Sequence, residues 1–238
     1  MSKIKNFAIG LGILASTSAA FLPAVAFAED VTGSDGSTIP DVTEDLDVNV
    51  LVNTVISMTI KSYSGSTPTL NGTTDCTTSS ETGATESCTT TGTQKVEATI
   101  LPGEEDLTSM YSDIFVSTNS VNGFSLKLID ADENTSLVNG SYTIPTVSSR
   151  PAGASASTPN PGWAVSLDGG TTWLAMPNGG SQDGTVAPGT AITVDTYSPA
   201  TPAAVTDRQS TVHYGVATSS SQAAGTYTDT VVYTATAL

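Results

Sequence analysis

The sequence predicts an all-β protein, an antiparallel β-sandwich or jelly roll, preceded by a signal-peptide helix. Three observations carry this expectation. Short runs of alternating apolar and polar residues recur along the chain, Gly, Asn, Asp and Pro clusters separate them, and nothing after residue 28 sustains a 3.6-residue period. Many short strands with turn signals between them close into sandwiches or jelly rolls.

The first element is the exception. Lys3 and Lys5 precede an apolar run from Phe7 to Leu22, and Ala26-Phe27-Ala28 stands just before Glu29. A basic start, a short apolar stretch and an A-x-A site make up a cleavable secretory signal, so residues 1–28 are expected to leave and Glu29 to become the mature N-terminus. This places the mature protein outside the cytoplasmic membrane, secreted or at the cell surface. It is the only continuous apolar run in the chain, so contact with the membrane is expected only through this segment before cleavage. Residues 29–45 follow as a flexible acidic lead carrying Glu29, Asp30, Asp35, Asp41, Glu44 and Asp45 with almost nothing to bury. Residues 46–238 read as the sandwich domain, with a subdivision near 149–162 left open.

That domain begins with its longest pattern. Leu46, Val48, Val50, Val52, Ile56, Met58 and Ile60 share one alternating frame, interrupted only by Thr54. At ~3.3 Å per residue a strand over 46–60 would run about 50 Å, against the ~20 Å usual in globular sheets. It must bend near Asn53-Thr54 from one sheet to the other, or overhang into a neighbouring molecule as a donated strand.

Cys76 and Cys88 lie in a Thr-, Ser- and Gly-rich stretch. An even count at short spacing in an exported chain favours a disulfide, here expected to staple a polar loop with little effect on the rest of the fold. Further strands are predicted at Val96 to Ile100, ending at Pro102-Gly103, near Tyr111 to Thr118 after the acidic Glu104-Glu105-Asp106, and at Phe124 to Leu128. Leu137-Val138 and Tyr142 to Ile144 follow, and Arg150 to Gly162 reads as a long loop.

The stretch from Trp163 to Met176 permits a register. A two-residue type I′ turn at Gly169-Gly170 sets Asp168 against Thr171. Trp163, Val165 and Leu167 then share a face with Thr172, Leu174 and Met176, five of the six being apolar. The same count throws Trp173 to the opposite face, where it is either an outward ligand contact or cover for a second layer or loop. Strands at Ala191 to Tyr197, Thr211 to Ala217 and Thr226 to Thr236 complete the pattern, with Val212, Tyr214 and Val216, then Tyr227, Val231, Tyr233 and Ala235, as their apolar faces.

Val212-His213-Tyr214-Gly215-Val216, followed by Ala224-Gly225-Thr226-Tyr227-Thr228-Asp229-Thr230-Val231-Val232-Tyr233-Thr234-Ala235, resembles the terminal hairpin of bacterial pilus subunits and wall-associated β-sandwich proteins. With Thr135-Ser136-Leu137-Val138-Asn139-Gly140, Thr143-Ile144-Pro145 and the Trp163 hairpin, residues 120–238 resemble exported β-sandwich surface proteins of reduced-genome, Saccharibacteria-like bacteria. The resemblance implies a surface protein and brings no catalytic residues with it.

Charge narrows the partners. All 23 acidic residues follow the signal, and removing Lys3 and Lys5 leaves five basic residues, a mature net charge of −18. Nucleic acid is excluded as a ligand, because displacing counterions from phosphates needs a basic face. Chemistry is equally sparse. His213 is the sole histidine and no G-x-S-x-G elbow accompanies it, so no Ser-His-Asp triad is indicated; acids abound, but aromatics are few and nothing selects the carboxylate pair of a glycosidase cleft. Asp130, Asp132 and Asn134 have the D-x-D-x-N spacing that opens a calcium loop, but Thr135 replaces the next glycine and Ser141 the terminal Glu. An ordinary acidic turn and a loose calcium site both fit; no other cofactor is expected.

The expected protein is therefore a noncatalytic, secreted cell-surface structural or adhesive module, a subunit of an assembly or filament. Its partners would be other surface proteins, its own copies or a host-surface ligand. The alternative is an extracellular carbohydrate- or calcium-binding module using Trp173, Asp130 and Asp132; a secreted hydrolase ranks third.

Overall fold

The computed structural model describes residues 52–238 apart from 66, 68, 81–86, 92–94 and 202. The signal with its Ala26, Ala28 and Glu29 cleavage site, the acidic lead and the positions Leu46, Val48 and Val50 lie outside the described residues. Asn49–Leu238 form one compact unit, with residues 149–162 inside it.

The fold is an all-β sandwich of antiparallel strands. Its first sheet has the order β2 (Thr69–Ser80), β1 (Thr54–Ser64), β4 (Glu105–Thr118), β10 (Val205–Ala217) and β8 (Gly162–Ser166). The second runs β3 (Ser87–Thr91), β11 (Val231–Ala237), β5 (Phe124–Asp130) and β9 (Ile192–Tyr197). A separate hairpin joins β6 (Leu137–Asn139) to β7 (Tyr142–Ile144).

Alternation explains the core. Ile56, Met58 and Ile60 of β1, Ile114 and Val116 of β4, and Val212, Tyr214 and Val216 of β10 are buried from the first sheet, while Phe124, Leu126 and Leu128 of β5 and Tyr233 and Ala235 of β11 are buried from the second. Each set recurs at every second residue, as the strand period requires. Hydroxyls run through this core. Ser62 Oγ lies 3.1 Å from Ser112 Oγ, and the Tyr214 and Tyr233 hydroxyls meet at 2.6 Å between the sheets. Burial raises the pKa of both phenols, which stay protonated and pair.

Several expectations change. Of the 46–60 frame, the described strand begins at Thr54 and pairs with β2 and β4, so Ile56, Met58 and Ile60 belong to the molecule's own core. Val52 stands before it, 68 % exposed. The expected Cys loop is largely strand. Residues 69–80 and 87–91 are β2 and β3, formed by Thr-rich segments whose β-branched side chains suit a pleated surface but give no apolar rhythm to read.

Val96, Ala98 and Ile100 do pack against the core in alternation, yet residues 95–100 belong to none of the named strands. Contacts to side chains hold them in place: the Glu97 amide donates to Ser64 Oγ at 2.7 Å, and Asn71 Nδ2 donates to the Lys95 carbonyl at 3.3 Å. The expected terminal hairpin is absent as well. β10 pairs with β4 and β8, while β11 pairs with β3 and β5, so the last two strands face each other across the core through Tyr214 and Tyr233.

A bulge in β10 closes one side. Its register shifts between Val205 and Arg208, with Asp207 at φ 46°, a left-handed conformation that Asp tolerates better than most residues. Arg208 then reaches Asp195 of β9, Nε to Oδ2 at 2.6 Å, and stacks 4.3 Å over the Tyr197 ring. One arginine thereby ties the edge of the second sheet to the first.

Candidate functional site

The outer face of the five-stranded sheet is the first candidate. Tyr63, Tyr111 and His213 occupy one cross-strand row on β1, β4 and β10. Their rings form a ladder: Tyr63 and Tyr111 stack at 4.7 Å and 15°, and Tyr111 meets His213 at 5.6 Å and 34°. Neighbouring strands lie ~4.8 Å apart, so two stacked rings on facing positions stand upright and turn edges to solvent. Burial and the nearby Asp113 raise the Tyr111 pKa, keeping its hydroxyl a donor. Lys61 sits 4.6 Å over the Phe115 ring on the same face. All these residues are half-buried. The row can offer aromatic edges, hydroxyls and an imidazole to a flat partner.

Beside the ladder lies the open edge. Among the described residues β2 pairs along one side only, with β1. Thr, Ser, Asn, Gly, Asp, Leu and Cys make up its length; no Lys or Pro stands in it. Lys, Pro and bulges are the usual means by which edge strands resist further pairing, and β2 has the last of these near its start, where Gly72 faces Ser62 and Leu70 faces Tyr63 with Asn71 unpaired between them.

The predicted calcium triplet is arranged as a chain of turns. Asp130 Oδ1 accepts from the Asp132 amide at 2.9 Å, Asp132 Oδ1 from the Asn134 amide at 2.7 Å, and Asn134 Oδ1 from the Ser136 amide at 3.3 Å. Each side chain thus serves the backbone two residues on. Among the described residues, no group of three or more His, Cys, Asp or Glu side chains could hold a metal ion.

What sequence reasoning missed is Asp229. It precedes β11, whose Val231 pairs with Asp130 of β5. The carboxyls of Asp130 and Asp229 lie within hydrogen-bonding reach of each other. Asp130 is 1 % exposed, and Oδ2 of each residue is buried with no hydrogen-bond partner. Burial first, then the neighbouring Asp130 charge, pushes Asp229 up to about 8, and burial raises Asp130 too. A carboxylate between Thr residues near a predicted strand start looks like a turn residue, and nothing in its spacing links it to Asp130.

Trp173 is corrected as an outward ligand contact. The predicted register holds: Val165 and Leu174 exchange hydrogen bonds of 3.0 and 2.8 Å, and Gly169 and Gly170 take φ of 72° and 90°, as a type I′ turn requires. The opposite face is nevertheless covered. Trp173 is 4 % exposed, its indole nitrogen donates to the Gly170 carbonyl at 3.0 Å, and its ring lies over Gly215 of β10. Asp168 secures the turn by accepting from the Thr171 and Thr172 amides and from Ser166 Oγ, bonds that hold its pKa at about 2.

Cys76 lies on β2 opposite Met58, and Cys88 on β3 opposite Ala235; both of those partners are buried. β2 and β3 lie against each other at the same end of the two sheets. No described cysteine is free, while the Cys88 side chain falls outside the described residues.

No family model, curated protein or solved structure matches the chain.

Proposed function

We propose that the mature chain is a noncatalytic structural or adhesive module of the outer cell surface that joins neighbouring molecules by strand addition. The observation that carries this reading is the twelve-residue β2, paired along one side only among the described residues and free of charged or proline blockers other than Asp75. An incoming extended segment gains backbone hydrogen bonds at such an edge, and its alternate side chains supply specificity. The chain itself carries a suitable segment: the apolar frame of β1 continues upstream at Val48, Val50 and Val52. Another copy of the chain, or another surface protein with the same pattern, is then the partner. Immunogold imaging of intact cells with an antibody to the mature chain tests this. Filaments or a continuous coat support it, whereas protein recovered only as free monomer in the medium rejects it.

The signal and the disulfide belong to the same proposal. Cleavage before Glu29 delivers the chain to an oxidising compartment, where Cys76 and Cys88 bridge. Lying on edge strands of different sheets, they would staple the sandwich itself and not merely a polar loop.

A second reading is favoured by the aromatic row. Tyr63, Tyr111 and His213 offer an adhesive contact for a carbohydrate or a host-surface protein, a role for which buried Trp173 is unsuited. Titrating a glycan panel against wild type and Tyr111→Ala separates the readings: saturable binding lost in the variant favours adhesion, and none anywhere on the panel favours assembly.

A further inference from the structure

We propose that Asp130 and Asp229 hold a divalent cation, calcium by the chemistry of the donors, that fastens the start of β11 to the end of β5. Two observations meet here. The carboxyl groups of these residues lie within hydrogen-bonding reach of each other, and Oδ2 of each is buried with no hydrogen-bond partner. Asp130 is 1 % exposed, so one of the unsatisfied oxygens belongs to an almost sealed side chain. Burying an unpaired carboxylate oxygen costs more than burying a neutral one, and a facing carboxylate adds repulsion. A small positive ion removes both costs.

The surroundings specify the ion. Asp130 Oδ1 is engaged by the Asp132 amide at 2.9 Å, and Asp229 Oδ1 by the Thr230 amide at 2.7 Å, which leaves the two Oδ2 atoms for a ligand. No protein cation competes for them: the ion pairs among the described residues join Lys95 to Glu97, Arg150 to Glu105 and Arg208 to Asp195. Asp132, exposed beside the pair, adds a further negative charge. Two carboxylates match the charge of a divalent ion, and oxygen donors suit a hard one. No third His, Cys, Asp or Glu completes a set among the described residues, so backbone carbonyls and water would fill the rest of a shell of roughly six to eight oxygens. Carbonyls line this seam. Those of Thr230 and Pro177 accept from the Ala131 amide at 2.9 Å and the Asp130 amide at 3.1 Å, and each keeps a second lone pair. Magnesium sheds its waters reluctantly and demands an octahedron, whereas calcium accepts an irregular site.

This is a different site from the loop that the D-x-D-x-N spacing suggests. Asn134 spends its Oδ1 on the Ser136 amide, and the second carboxylate comes from the approach to β11. Bound there, the ion locks the seam where Val231 pairs with Asp130 and where Val138 and Thr228 exchange hydrogen bonds. Binding displaces any proton that the pair shares.

Equilibrium dialysis of chelator-stripped, wild-type mature protein against calcium chloride is the first test. One ion per chain should bind, with a dissociation constant on the order of 0.1–1 mM, the range of extracellular calcium modules. Saturating calcium should raise the melting temperature by several degrees, and magnesium should not. Asp229→Asn should abolish both binding and shift, while Glu133→Gln, at an exposed acidic neighbour, keeps both. Asp130→Asn repeats the test from the other side, and the wild-type dialysis stands whether or not either variant folds. Three outcomes would overturn the proposal. Absence of bound calcium at millimolar concentration leaves the two carboxyls to share a proton. Equal stabilisation of wild type and Asp229→Asn reduces the effect to diffuse screening of the chain's negative charge. Magnesium binding as tightly as calcium makes the pair an unselective patch of charge.

Discussion

Tyr214 and Tyr233 show what a pair of hydroxyls contributes at the centre of an apolar sandwich. The two hydroxyls meet at 2.6 Å, and the Tyr214 hydroxyl has the Ser112 side chain as a second partner, whereas Tyr233 has Tyr214. Tyr214→Phe strands the Tyr233 hydroxyl and should cost about 1–3 kcal/mol in urea denaturation, Tyr233→Phe leaves Tyr214 its Ser112 partner and should cost less, and the double variant should cost less than the sum. Strict additivity would mean that the hydroxyls act independently. Gly215 makes a complementary case. A Cβ there would come within 2.6 Å of the Trp173 ring and 2.9 Å of Leu107, so Gly215→Ala should lower stability by ~1–3 kcal/mol through overpacking. Near-ultraviolet circular dichroism should report the displaced tryptophan. The same contact decides between the two expectations for Trp173, in favour of cover and against an outward ligand contact. Strand alternation states which side of its own strand a residue occupies, and it is silent on whether another strand with a glycine in the right place waits there to receive it.

At the scale of elements, β1 permits a direct comparison of its two halves. Met58 is buried in the core, so Met58→Asp should abolish folding or remove several kcal/mol, because the carboxylate has no partner among Ile56, Ile60 and the facing sheet. Val50→Asp lies in the same frame, upstream of the described strand. If the upstream segment serves assembly, this change leaves the melting temperature of dilute protein unaltered and abolishes association at high concentration. Equal loss of melting temperature in both variants would make the whole frame intramolecular. The sequence made β1, β5, β10 and β11 legible because each buries one face, and burial of one face writes an alternating pattern. It hid β2 and β3, whose Thr and Ser residues occupy both faces without contrast. It also hid partner choice. β10 and β11 follow one another in the chain, yet each finds its neighbours in a different sheet, since pairing depends on how the preceding strands are already stacked. Asp130 and Asp229 were beyond reach for the same reason: only the β5 to β11 register brings them together.

The whole molecule combines local and distant pairing in a way that makes its two edges matter. β1 and β2 form a local hairpin, but β4 waits for β10 and β5 for β9 and β11, so much of the fold closes late and non-locally. A cross-sheet bond between Cys76 and Cys88 would hold the β2 and β3 end while that happens and keep the β2 edge presented afterwards. The proposed bridge encloses a short loop, for which the chain-entropy relation gives roughly 3 kcal/mol, and reduction should lower the melting temperature accordingly. Alkylation of native, unreduced protein at either cysteine would exclude the bridge. Assembly then becomes separable from folding by dilution. A solitary sandwich melts at a temperature independent of concentration, whereas molecules that complete one another's edges gain stability with protomer concentration through mass action. Truncating the mature chain to begin at Asn53 removes the upstream frame and leaves β1 intact. The truncated protein should melt independently of concentration and remain monomeric where the full mature chain associates. Mixing the two should restore association only in one direction, because the truncated molecule still offers β2 but no longer carries a strand to donate. Association of the truncated protein with itself, as strong as that of the full chain, would show that the upstream segment has no part in it and would transfer the contact to the aromatic row on the sheet face.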